Sequence, residues 1–281
     1  MSGTAAVAPR SLYLGLTVPA LLLLCAFFAL PMVQMLWLSV TEPRFGLENY
    51  AELVTNPLIS RIWLTTLRVC SVTTAVSVML GYAVAFAMTR VGPRHQATML
   101  FCIIVTFSFS ILVRGFAFVV VLRGNGMLND GLTQLGIITQ PLQLVRNETG
   151  VLIGMVHYGL PVAILPIYSN MRGIERRVVD AARGLGASTL QWFRLVYLPL
   201  TRPGVVSAAI LVFIYSLGFF IIPAMLGGGR VVMIAEYIRV GFEETLRWGH
   251  ATMLATTLLA AVLVILVVLA RVVDLRKVFG A

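Results

Sequence analysis

The chain has 281 residues, 59% of them hydrophobic and 11% charged, with a formal net charge of +10 and a mean hydropathy of +0.95. A soluble domain carries about 25% charged residues. So few charges cannot cover so much apolar surface, which excludes a soluble enzyme, a nucleic-acid-binding domain and a disordered chain.

A bilayer core about 30 Å thick needs roughly 20 apolar residues per helix, and the sequence offers six such runs, giving an all-α integral membrane protein read as one transmembrane domain over residues 1–281. The first, Leu12–Val40, is too long for a signal-peptide core and no small-residue cleavage site follows it, so it is expected to remain as a helix. Pro19 and Pro31 lie inside it. The second, Leu64–Met88, is joined by a tight link, Thr89–Gln96, to the third, Ala97–Leu122. A long loop, Arg123–Gly150, is marked by turn residues from Gly124 to Gly131, and its middle, Leu132–Leu144, is apolar enough to lie along the membrane surface. The fourth run, Val151–Ser169, contains Pro161 and Pro166. After the loop Met171–Arg202 comes the fifth, Gly204–Met225, closed by Pro223. The loop Leu226–His250 opens on Gly227-Gly228-Gly229, continues as a short amphipathic helix over Val231–Phe242, and leads to the sixth run, Ala251–Ala270.

With the N-terminus inside, the inner segments hold 12 Lys and Arg and the outer loops 7, whereas three acidic residues lie inside and eight outside. The positive-inside rule then places both termini in the cytoplasm. The inner count takes in Arg10 and, in the tail, Asp274, Arg276 and Lys277.

The inner loop is the most distinctive segment. A helix-forming run, Val178–Arg183, is broken by Gly184 and Gly186, and a second helical stretch, Ser188–Tyr197, ends before Leu198-Pro199. Val178, Val179, Ala182 and Leu185 form an apolar stripe with Arg176, Asp180 and Arg183 off it, and the small Ala181, Ala182 and Ala187 allow close approach of another surface. On shape alone, a helix pair resting on lipid headgroups and anchored by its arginines is the simpler reading.

The spacing changes that balance. Asp180-Ala181-Ala182 is followed by Gly186, then nine residues, then Val196, Leu198 and Pro199. This resembles the EAA loop of permease subunits of bacterial ABC importers, with Asp180 where that family usually has Glu. Leu165-Pro166-Ile167-Tyr168-Ser169, Pro203-Gly204-Val205-Val206, Leu226-Gly227-Gly228, Leu122–Asn129 and Val151–Val156 are similar to the spermidine/putrescine-type permeases, so the likeness runs from about Arg114 to His250. The resemblance implies the type I importer fold in a bacterial inner membrane. It implies pairing with a second, homologous permease, two copies of a cytosolic ATPase carrying ATP and Mg, and an extracytoplasmic solute-binding protein. Asp180, Ala181, Ala182, Arg183, Gly184, Gly186, Ala187 and Pro199 would then form the segment that seats in the ATPase. A scaffold or self-contained channel outside this family explains six spans but not the spaced loop.

Other chemistry finds no support. The chain has no G-x-x-x-x-G-K-[ST] run, its three histidines lie in separate segments, and Cys25, Cys70 and Cys102 have no metal-ligand or redox spacing, so no catalytic residue, metal site or cofactor of its own is expected. The six runs contain no acidic residue, but Arg68 and Arg114 lie within them. Both sit in the outer halves of their helices, from which snorkelling relieves part of the cost. Arg114, Phe116, Tyr158, Tyr215, Phe219 and Phe220 are the candidates for a translocation pathway. Tyr82 and Phe107 are further aromatic candidates, although aromatics at helical spacing more often pack against neighbours or lipid. Polyamines are cations, whereas the only formal charges in the spans are positive, so an anionic or zwitterionic solute competes with a polyamine.

Overall fold

In the computed structural model of the protein, residues 10–272 are described, and among them all regular structure is helical. The charges counted at Asp274, Arg276 and Lys277 lie outside the described residues. Among the described residues, six helical stretches are long and apolar enough to cross a bilayer: Thr17–Thr41, Pro57–Met88, Ile111–Gln134, Glu148–Arg172, Thr189–Leu217 and Trp248–Val268. The chain divides into two compact units, Met1–Thr55 with Ile238–Thr257, and Asn56–Tyr237 with Leu258–Ala281.

In the first unit, α1 (Arg10–Leu24), a π-helical turn (Cys25–Ala29) and α2 (Leu30–Thr41) follow one another without interruption, and α3 (Glu48–Thr55) comes after a short turn. Most of the described apolar side chains of this long helix are exposed, Phe27 at 79%, a surface suited to hydrocarbon. Its end is tied down by polar bonds. Asn49 Nδ2 donates to the carbonyls of Ser39 at 3.3 Å and Glu42 at 2.6 Å, and the Ser39 and Tyr50 hydroxyls lie 2.8 Å apart. The Glu52 carboxylate lies 3.2 Å from His250 Nδ1 and 3.7 Å from Arg247 Nη2. A Cβ at Gly249 would stand 2.1 Å from the Glu42 carbonyl oxygen, so only glycine fits there. Arg239 donates to Glu243 at 2.7 Å and Glu244 at 3.1 Å, and the bond to Glu243 holds its pKa above the ordinary arginine value.

In the second unit, α4 (Pro57–Met88) starts at an Asn56 cap whose side chain accepts from the Leu58 N–H. It is followed by α5 (Pro93–Ser108), α6 (Ile111–Leu122), α7 (Met127–Gln134), α8 (Glu148–Arg172), α9 (Arg176–Gly184), α10 (Thr189–Trp192), a second π turn (Phe193–Tyr197), α11 (Leu198–Leu217) and α12 (Ile221–Gly227). The last two helices, α13 (Ile234–Glu243) and α14 (Trp248–Val272), each have residues in both units. The helix α13 starts three residues later than the expected amphipathic segment and ends one residue past it.

The helices α4, α8 and α11 approach closely through small residues. A Cβ on Gly81 would stand 3.0 Å from that of Ala163, and one on Gly159 would stand 2.7 Å from Ser77 Oγ and 3.2 Å from Val212. Two buried clusters result. One holds Val69, Val151, Met155, Phe219, Ile222 and Leu226. The other holds Met88, Ile167, Met171, Trp192, Tyr197 and Val212.

Three expected boundaries differ. The third run is not one helix: Phe109 and Ser110 are extended, with ψ of 141° and 136°, and separate α5 from α6. Ser108, at the end of α5, turns its hydroxyl onto the Ile104 carbonyl at 2.9 Å, a bond that slightly weakens the helix just where it stops. The fifth run stops at Leu217, and Pro223 lies inside the separate short helix α12. At Leu198-Pro199 the helix does not end. Each π turn finishes two residues before a proline, Pro31 and Pro199. In an α-helix the proline ring would meet the carbonyl four residues back. The wider turn takes up that conflict, with the Leu30 N–H donating to Cys25 and the Leu198 N–H to Phe193.

Gly228 and Gly229 have φ of 54° and 77°, the left-handed turn the glycine run promises. The loop after α6 is organised by Asn129, whose Nδ2 donates to the carbonyls of Arg123 and Leu142, both at 3.0 Å, and whose Oδ1 accepts from the Leu142 N–H at 2.7 Å.

Candidate functional site

The loop between α8 and α11 is closed by hydrogen bonds of its own. The Ala187 N–H donates to Ala182 at 3.1 Å and the Gly186 N–H to Arg183 at 2.9 Å, while Gly186 has φ of +85°. This is a Schellman C-cap, and it requires a residue that adopts the left-handed region freely. Gly184, by contrast, is the last residue of α9, so Gly186 alone makes the turn. The next helix opens on a capping box: Gln191 Oε1 accepts from the Ser188 N–H at 2.8 Å and Ser188 Oγ from the Gln191 N–H at 3.4 Å.

The expected apolar stripe is divided. Ala182 and Ala187 pack inward against the Met88–Trp192 cluster. Leu185, past the last helical residue, swings out to 90% exposure. Asp180, Ala181, Arg183, Gly184 and Gly186 are exposed, and the side chains of Arg176 and Val179 lie outside the described residues. Pro199 is in the first turn of α11.

An aromatic box fastens this loop to the helices. Phe86 meets Phe193 and Tyr197 edge-on at 5.6 and 5.5 Å, and Trp192 meets Tyr197 at 5.6 Å. The Arg90 guanidinium stands 4.8 Å from the Phe86 ring and 5.0 Å from Trp192, and that of Arg183 stands 5.0 Å from Trp192. Both arginines are exposed, and cation–π pairs at exposed sites contribute about 0.5–1 kcal/mol each. Tyr82 belongs to this box, with its hydroxyl 3.2 Å from that of Thr201. Sequence reasoning missed the box. Its one local signal is the density of rings in Trp192-Phe193-Arg194-Leu195-Val196-Tyr197.

A second constellation lies between α6, α8 and α11. Tyr158 stacks on Tyr215 with centroids 5.6 Å apart and hydroxyls at 3.0 Å, and lies 4.5 Å from Phe219. Tyr158, Tyr215, Phe219 and Phe220 line a cavity of about 430 Å³ together with Ile111 and Ile214. The Arg114 guanidinium sits 4.2 Å from the Tyr158 ring centroid and is 8% exposed. It is buried, where snorkelling would have carried it out. Phe107 reaches Tyr158 at 6.2 Å. Phe116 is not brought into the group; it is 62% exposed. Arg68 is ion-paired with Glu148, the first residue of α8, outside this cavity.

Residues 77–278 match the family described as binding-protein-dependent transport system inner membrane component. The chain is 34% identical over 220 residues to the spermidine/putrescine transport system permease protein PotB of Haemophilus influenzae, covering 78% of this chain and 77% of that protein. It is 31% identical over 229 residues to PotB of Escherichia coli K12, covering 81% and 83%. Among solved structures it superposes on a chain of a bacterial ABC transporter that imports the acidic polysaccharide alginate, with a TM-score of 0.78, 15% identity, and coverage of 93% and 94%. A second structure, the alginate transporter in complex with its pentasaccharide-bound periplasmic protein, gives a TM-score of 0.76 at 16% identity, covering 92% of each chain. These structural likenesses establish the fold.

Proposed function

Because the chain belongs to the family of binding-protein-dependent transport system inner membrane components, and is therefore a multi-pass inner-membrane permease of an ABC importer, we propose that it forms half of a translocation pathway for a small organic solute, polyamine-type or related. The other half is a second, homologous permease. Two copies of a cytosolic ATPase bind and hydrolyse ATP with Mg, and an extracytoplasmic binding protein delivers the solute. Both termini face the cytoplasm, a reading supported by the 12 to 7 distribution of Lys and Arg.

The observation that carries the proposal is the loop over residues 175–197. It offers an outward surface of Asp180, Ala181 and Leu185, set by a rigid Schellman turn, on a base of packed rings. Small exposed residues around one protruding leucine suit a groove in a partner. Closure of the ATPase pair would drag this knob and, through the aromatic box, the helices that bound the cavity. The two open states then exchange by rigid-body motion.

The test is to express the full complex carrying Asp180→Lys with Gly186→Trp. The chain is expected to insert at its normal level and to lose the co-purifying ATPase. An ATPase still bound and coupled to uptake would overturn the assignment of this loop.

A further inference from the structure

We propose that the cavity lined by Arg90, Arg172 and Arg183 binds the phosphate of an anionic phospholipid headgroup, at the membrane surface from which α9 and α10 project. The site presupposes only that the chain spans a bilayer, not what it carries.

The cavity, of about 540 Å³, lies where two of the apolar helices end. Met88 closes the span Pro57–Met88 and Arg172 closes the span Glu148–Arg172, so Arg90 and Arg172 stand where hydrocarbon gives way to headgroups. Arg183 reaches the same cavity from α9, and Thr89, Gln96 and Tyr197 complete its polar lining. A cation at the C-terminal end of α4 or of α8 complements the helix dipole. That accounts for one charge at each end, but not for a third arginine brought to them from another element.

The three guanidiniums are open to a ligand. All three side chains are exposed, and among the described residues none donates a hydrogen bond or forms an ion pair. Arg90 and Arg183 each stand 5.0 Å from the Trp192 ring, which holds them at the cavity without supplying an oxygen acceptor. Asp180, the acid in the lining, is paired with none of them, which leaves an excess of two positive charges around the cavity. Guanidinium forks match the oxygens of a phosphate, and basic pockets between membrane helices take anionic headgroups. A headgroup with its own ammonium would leave the excess in place, so the charge balance favours phosphatidylglycerol over phosphatidylcholine.

A lipid, in preference to a soluble phosphate, is indicated by what adjoins the arginines. Phe86 and Trp192, the rings nearest Arg90, also line an apolar groove of about 530 Å³ with Tyr82, Leu190 and Phe193. Tyr82 lies four residues deeper in the membrane span than Phe86, about 6 Å along the helix. A basic cavity and an apolar groove thus share one wall of rings, and an amphiphile uses both: its phosphate on the arginines, an acyl chain along α4.

The test uses the assembled importer in nanodiscs without nucleotide. Cys25→Ser and Cys102→Ser remove the two exposed thiols, and Cys70 is buried. Gln96→Cys then places a thiol in the cavity lining. Its labelling by N-ethylmaleimide, a neutral reagent, is timed in phosphatidylcholine alone, in phosphatidylcholine with phosphatidylglycerol, and in phosphatidylcholine with inorganic phosphate in the buffer. Phosphatidylglycerol should slow labelling about tenfold, and inorganic phosphate should not. Arg172→Gln with Arg183→Gln should abolish that protection, whereas Arg194→Gln, which removes an exposed charge outside the cavity, should preserve it. Equal rates in the two bilayers overturn the proposal. So does protection that survives the paired change, that is lost equally with Arg194→Gln, or that inorganic phosphate reproduces. A thiol already shielded in phosphatidylcholine and freed when the ATPase is stripped also overturns it, by assigning the arginines to an acidic residue of that partner. If the paired variant does not assemble, Arg172→Gln alone decides, because among the described residues that side chain has no partner to lose.

Discussion

At Gly159 the position of one hydrogen decides whether three helices can pack. A side chain there would enter Ser77 on α4 and Val212 on α11 at once. Gly159→Leu should destabilise the protein by about 1–3 kcal/mol through overpacking, seen as a lower thermal midpoint of the purified complex. Gly92→Ala, where a Cβ meets nothing, should leave the midpoint unchanged. Other residue-scale features were legible to different degrees. Gly186 was, because a glycine at that distance from a helix-forming run signals a left-handed cap. The burial of Arg114 was not, because the ring that holds it, Tyr158, lies on another helix and leaves no local trace. The parting of Arg114 and Phe116 follows from helix geometry once one is placed. Residues two apart are about 200° around the axis, so a buried Arg114 sends Phe116 to the surface.

At the scale of elements, hydropathy located the membrane runs but not their interruptions. The apolar stretch from Ala97 to Leu122 continues smoothly through Phe109, and only backbone geometry reveals the two extended residues there. The converse happened at Pro199, where a signal that normally stops a helix is absorbed by a π turn. The element most exposed to test is the ring cluster under the loop between α9 and α10. Trp192 is 3% exposed, so Trp192→Ala should cost about 3–5 kcal/mol locally. In inside-out vesicles trypsin should then cut faster at Arg177 and Arg183. Leu195→Ala, at an exposed position, should leave the cleavage rate as it was.

At the scale of the molecule, the topology is set by where the arginines are, and it can be read in intact cells. In the cysteine-replaced background, Leu135→Cys and Leu246→Cys should react with an impermeant maleimide added outside. Leu185→Cys should react only after the membrane is opened. All three parent side chains are exposed, so a silent site reports sidedness and not burial. Labelling of Leu185→Cys in sealed cells would invert the topology. The uninterrupted run from Thr189 to Leu217 has a mechanical corollary. Its 29 residues make a rod about 43 Å long. The ring cluster grips it near one end, around Trp192–Tyr197, and the cavity residue Tyr215 rides near the other. A pivot so placed leaves arms of roughly 10 and 33 Å, a gearing of about threefold. If the proposed ATPase contact moves the short arm by an ångström, the long arm would carry Tyr215 about 3 Å relative to Tyr158, on which it stacks.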